Sequence, residues 1–259
     1  MLEIIDKNLE TENIWLNKYI PYDDYIYYLK NGKLNLNFSK MTLFDDVLEG
    51  WSYNNSNFTM AWLNNITFMK RVKNDGGTIE YGRGFVHHIE GERDSKKFEQ
   101  EFKTHIETIK KHHCSCWFTT TEFNTEQRYM YNIYGKSRTG LAILISIKWQ
   151  EIISFLEKDV RNFTCGFIDY QKESNKNPLF RKHESYSHEK EFRIITKDFD
   201  NENYYEYFLD ADLKKHITFS EPPKGEIYNS IKESLNEKDE LKYSNLPIQW
   251  KLDEIIELL

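Results

Sequence analysis

The feature that most limits what this chain can fold into is the run Gly140-Leu141-Ala142-Ile143-Leu144-Ile145-Ser146-Ile147, apolar at nearly every position. A strand with one wet face alternates polar and apolar residues. A run apolar on both faces predicts a central strand covered by protein on both sides. At this length it is far too short to cross a bilayer, and no longer apolar run occurs, so no membrane partner is expected.

Around that strand the sequence sorts into a mixture of elements. Strands are predicted at Leu34–Phe38, Ser115–Thr119, Phe163–Tyr170, Glu189–Thr196, Tyr204–Leu209 and His216–Ser220. Phe98, Phe102, Ile106 and Ile109 form one stripe within Lys97–His113, which predicts an amphipathic helix. Trp149–Lys158 and Lys224–Leu235 are two more, the latter preceded by Pro223, which suits a helix start. Tyr22–Asn31 reads as a helix closed by Gly32 in a left-handed cap. Helices and strands do not alternate regularly. The expected class is therefore α+β, with a mixed or antiparallel central sheet of about six to eight strands and flanking helices.

Neither a repeat nor a low-complexity linker divides the chain, so 1–259 reads as one domain. An excursion at 51–93 is rich in Asn and Gly, with Gly76-Gly77 and Gly82-Arg83-Gly84 marking hairpin turns. High aromatic content, 17 Tyr and 17 Phe, argues for a packed core and against disorder. The net charge of -7, spread along the chain, supplies no field to attract nucleic acid. The three cysteines fit a reducing compartment. The first nine residues lack the basic start and apolar run of a signal peptide. The expected location is cytoplasmic.

The segment His188-Glu189-Lys190-Glu191-Phe192-Arg193 carries the most chemistry. On a continuous strand Glu189, Glu191 and Arg193 share one face, with successive side chains about 6–7 Å apart, while Phe192 and Ile194 share the other. Two close carboxylates raise each other's pKa and a guanidinium opposes the rise. Such a set supplies one acid and one base, or one stabiliser for a cationic transition state. The plain alternative is a solvated strand face.

His112-His113-Cys114-Ser115-Cys116-Trp117 has the residue types of a metal site. A lone Cys-x-Cys matches no usual zinc spacing, and no metal is expected. Histidines closing a helix, followed by a strand with small Cys residues inside, fit better. The glycines lack the Lys-Ser/Thr of a phosphate loop and the spacing of a dinucleotide fingerprint. Arg128–Gly135 reads as a short helix whose tyrosines belong to the core or line a pocket for a flat ring.

Several segments, in order, resemble the bacterial domain-of-unknown-function family twenty-nine seventy-one, which is similar to abortive-infection proteins of the AbiGi type. They are Lys18-Tyr19 with the Leu29–Phe38 unit, Phe44–Glu49 with Val47 where the family has Pro, and Ser115–Thr119. Met130–Gly135 follows, with Tyr131 where the family has Trp, and last Lys182–Arg193. That family is in turn similar to the ADP-ribosyltransferase fold, in which three strand elements build one NAD cleft.

The resemblance implies an NAD-dependent ADP-ribosyltransferase-like effector, a transferase acting in anti-phage defence, abortive infection or as a toxin. Glu191 and Glu189 take the catalytic places; Tyr19, Thr119, Tyr131, Tyr134 and Arg193 take NAD-binding ones. The acceptor is a protein, a nucleic acid or water, and an antitoxin or regulatory partner is implied. A non-catalytic nucleotide-sensing module and a metal-dependent nuclease are the alternatives. On the transferase reading, Glu191→Gln is expected to abolish turnover while leaving the melting temperature nearly unchanged.

Overall fold

The computed structural model describes residues 1–6, 13–21, 24–30, 33–44, 92–121, 130, 142–171, 177–182, 184–200, 202–209, 217–219, 229 and 233. They form a mixed α+β structure that groups into two compact units. One comprises Met1–Ser39, His113–Phe167 and Glu189–Leu259; the other comprises Lys40–His112 and Ile168–His188. The excursion lies outside the described residues up to 91, as does the expected 224–235 helix apart from two residues.

The first unit is built on a nine-stranded sheet. Its central path runs β1 (Leu2–Ile4), β8 (Phe163–Phe167), β9 (Glu191–Thr196), β6 (His113–Thr120), β2 (Trp15–Pro21), β7 (Ala142–Lys148) and β12 (Ile217–Phe219). β5 (Phe38–Lys40) also pairs with β6, and β10 (Tyr204–Tyr205) pairs with β5. β1 and β8 are parallel, whereas β8–β9, β9–β6, β6–β2, β2–β7 and β7–β12 are antiparallel. A small second sheet orders β11 (Phe208–Leu209), β4 (Lys33–Asn35) and β3 (Leu29–Lys30).

β7 is the predicted central strand. Ala142 through Ile147 are all buried, with β2 on one side and β12 on the other. One face of the sheet carries Leu16, Trp117, Ile145, Phe163, Phe192 and Ile194, all at most 1% exposed. Against them pack Trp149, Ile152 and Leu156 of α3 (Trp149–Leu156), at the i, i+3, i+7 spacing of a helical stripe. Leu34, Leu36 and Leu209 join the same core. Each such side chain contributes roughly 1.5–3 kcal/mol by leaving water.

The sheet has more strands than the six to eight expected, because β1 and β2 carry no clear strand signal. In β2 the buried Asn17 and the half-buried Lys18 interrupt the apolar pattern. Other expected elements are broken by specific contacts. The Tyr22–Asn31 helix is one turn, α1 (Tyr25–Tyr28), after which β3 pairs with β4 in register Leu29↔Leu34. The expected 34–38 strand stops at Asn35, whose side chain accepts from the amides of Asn37 (2.9 Å) and Tyr207 (2.8 Å). Asn37 itself is left-handed, φ 48. Tyr204–Leu209 divides between the two sheets as β10 and β11.

In the second unit, α2 (Glu92–Lys110) buries His105 and Ile109, one helical turn apart, on a single stripe. It ends before the expected His113, which begins β6 instead. The His112 Nδ1 donates to the Thr108 carbonyl at 2.7 Å, which also accepts from the Lys111 amide at 3.1 Å.

Candidate active site

β9 is buried along its whole length and lies between β6 and β8. Its pleat puts Glu191 and Arg193 on the face opposite the main core, because Phe192 and Ile194 occupy the core face. The Arg193 Nε donates to Glu191 Oε1 at 2.7 Å, and Nη2 reaches Oε2 at 3.4 Å. Arg193 is 0% exposed and Glu191 3%. Removing two such charges from water costs several kcal/mol per ion, which only a pair with close geometry offsets.

The neighbouring strands leave room for this pair. Across from Arg193 stand Cys116 on β6 and Gly166 on β8; across from Glu191 stands Phe118. Gly166 presents no side chain, so nothing from β8 competes for the space beside the guanidinium. Cys114 and Cys116 lie on the same face with their sulfurs 3.5 Å apart. The Cys116 thiol is pushed well above its ordinary pKa, first by its hydrogen bond with Cys114 and then by burial. Glu191 adds to that rise and Arg193 opposes it.

Glu189 does not continue this strand, contrary to the continuous strand expected from 189 to 196. It closes a 3-10 turn, Glu184–Glu189, and the ladder starts only at Glu191. Between them Lys190 has φ 44, in the left-handed region, which breaks the alternation that would align the two carboxylates.

The structure brings Tyr19 near this region but packs it away. The ring is 5% exposed, clusters with Met130, Ala142 and Leu144, and meets Phe118 edge-on at 6.2 Å. Thr119 lies on the opposite sheet face, since it pairs with Leu16 of the main core. Its hydroxyl donates to the Lys190 carbonyl at 2.7 Å. Tyr131 and Tyr134 lie outside the described residues.

Sequence reasoning missed a buried polar row on the Glu191 face. Ser146 Oγ donates to Asn17 Oδ1 at 2.5 Å, and Asn17 Nδ2 donates to Thr120 Oγ1 at 2.9 Å. In register Ser146, Asn17, Phe118 and Glu191 align across four strands, with the apolar Phe118 between the polar pair and Glu191. A lone Asn and Ser inside apolar strands were the only available signal.

Among the described residues no three His, Cys, Asp or Glu side chains are arranged to hold a metal ion. No described helix is long and apolar enough to cross a membrane. Compared with known proteins, the chain matches no family model, no curated protein and no solved structure.

Proposed function

We propose that this chain is an ADP-ribosyltransferase-like protein that binds NAD and cleaves its nicotinamide–ribose bond, with Glu191 as the electrostatic centre. The observation that supports this most is the sealed, two-point Glu191–Arg193 pair on the sheet face opposite the main core. In the reaction nicotinamide leaves with the bonding electrons and the ribose carbon becomes oxocarbenium-like. A fixed anion beside that carbon stabilises the developing charge, as carboxylates do in glycoside hydrolysis.

Of the roles that the two glutamates offered, the geometry favours the stabiliser for Glu191. Arg193 serves to orient it, being too buried and too engaged with its carboxylate to be the first choice for a phosphate. Glu189, outside the strand, takes the separate task of positioning or deprotonating an acceptor: a protein, a nucleic acid or water. The resemblance supports an effector in anti-phage defence. A metal-dependent nuclease is less supported, because Glu189 lies outside the strand that carries Glu191.

The nucleotide-sensing alternative is favoured by one specific observation: Glu191 is almost wholly withdrawn from solvent and both its oxygens already have a partner. The test is NAD consumption by the purified protein, alone and with cell lysate. Wild type is compared with Glu191→Gln and with Glu191→Gln/Arg193→Met, which removes both charges together. Turnover in wild type, lost in the folded double variant, is the expected result. Thermal stabilisation by NAD without consumption would select the sensing module, and neither effect would overturn both.

A further inference from the structure

We infer that Thr119 is a positioning residue for Glu189: by gripping the Lys190 carbonyl it holds the left-handed residue that takes Glu189 out of the β9 ladder. For what Glu189 then does, this rests on the transferase reading above. Two donors from one residue meet that carbonyl, the Thr119 amide at 3.1 Å and the Thr119 hydroxyl at 2.7 Å. Lys190 carries a Cβ, which crowds the backbone at φ 44. A non-glycine residue stays in that region only where its surroundings over-determine it. The double grip is such a surrounding, and it comes from a strand 71 residues away in sequence.

The consequence is a separation of the two glutamates. Had β9 run on through Lys190, Glu189 would project on the same face as Glu191, about 6–7 Å away, and compete for Arg193. With Lys190 left-handed, Glu191 keeps Arg193, while the half-buried Glu189 ends the 3-10 turn. A group that stabilises the ribose cation and a group that serves the acceptor must address two different molecules. Thr119 sets their relation through Lys190 and touches no substrate itself.

Two measurements test this. In a melting cycle, Thr119→Val removes the hydroxyl but keeps the shape, and Lys190→Gly removes the need for a grip. Thr119→Val is expected to lower Tm by about 2–4 °C beside Lys190 and by less than about 1 °C in the Lys190→Gly background. Equal losses in both backgrounds overturn the grip.

In the NAD assay, Thr119→Val is expected to lower transfer to the acceptor by about 10²-fold, as Glu189→Gln does, while NAD hydrolysis persists. Thr119→Ser restores transfer. An unchanged ratio of transferred to free ADP-ribose overturns the positioning of Glu189. If wild type consumes no NAD, the transferase reading fails, and the melting cycle alone decides whether Thr119 holds Lys190.

Discussion

Arg193 Nε sits 2.7 Å from Glu191 Oε1, the two residues one pleat apart on β9 and both sealed from water. That burial overturns the expectation that Glu191→Gln leaves the melting temperature nearly unchanged. Neutralising one partner removes the charge opposite the other in a site closed to solvent.

Glu191→Gln is therefore predicted to cost about 3–5 kcal/mol in urea unfolding, whereas Glu191→Leu/Arg193→Met stays within about 1–2 kcal/mol of wild type. A loss below about 1 kcal/mol for the single variant would show that the pair is wet in solution. Activity comparisons need the double variant for the same reason.

Among the described residues, two fully buried tryptophans of the core differ in one hydrogen bond. Trp117 Nε1 donates to Ser115 Oγ at 2.9 Å, while Trp149 Nε1 has no partner among the described residues. Trp117→Phe is predicted to destabilise more than Trp149→Phe by about 1 kcal/mol, since only the first removes a satisfied donor. Paired denaturant melts decide it; the reverse order would sink the claim.

Stability should fall at both ends of the pH range through one cluster. Asp159 is bonded by Arg161 at 2.6 Å and accepts from the Tyr207 hydroxyl at 2.8 Å. The Arg161 hydrogen bond, followed in smaller measure by the Tyr207 one, holds the Asp159 carboxyl well below its usual range, against the opposing effect of burial. A depressed carboxylate contributes stability above its unfolded pKa, near 4, and loses it as pH falls further. Burial, then the bond to Asp159, pushes Tyr207 up to about 12. Its contribution is complete below an unfolded pKa of about 10 and is lost as pH rises through about 12. Asp159→Asn is predicted to flatten the acid limb of a Tm–pH curve and to lower neutral stability by about 2 kcal/mol. An unchanged acid limb would remove Asp159 from the account.

The cysteines should be poor nucleophiles in the folded protein. Burial raises Cys165 well above its ordinary pKa, and the Cys114 bond raises Cys116. A thiol reagent at pH 7 is expected to label neither until the chain is unfolded, when all three cysteines react. Rapid labelling of Cys116 in the native protein would contradict the packing described for β6.

Much of the architecture was legible in residue patterns. β7 declared itself by being apolar on both faces, and α2 and α3 by the three-to-four spacing of their buried residues. β2 did not, because Asn17 and Lys18 look like surface residues. Asn17 is buried only because Ser146 and Thr120, on neighbouring strands, supply its partners. The Tyr22–Asn31 segment misled for a different reason: the Asn31-Gly32 pair that follows Lys30 suits a helix end and a two-residue hairpin equally well.

At the site, the sequence alone determined that Glu191 and Arg193 lie on one face of a strand, because the period of two is a local property of extended backbone. Only the tertiary structure decided that Glu189 stands apart and that Thr119 grips backbone on the core side rather than lining the Glu191 face. Both depend on Lys190 being left-handed, a conformation its own side chain disfavours. The donors on the Lys190 carbonyl come from β6, and no local pattern encodes a partner that distant.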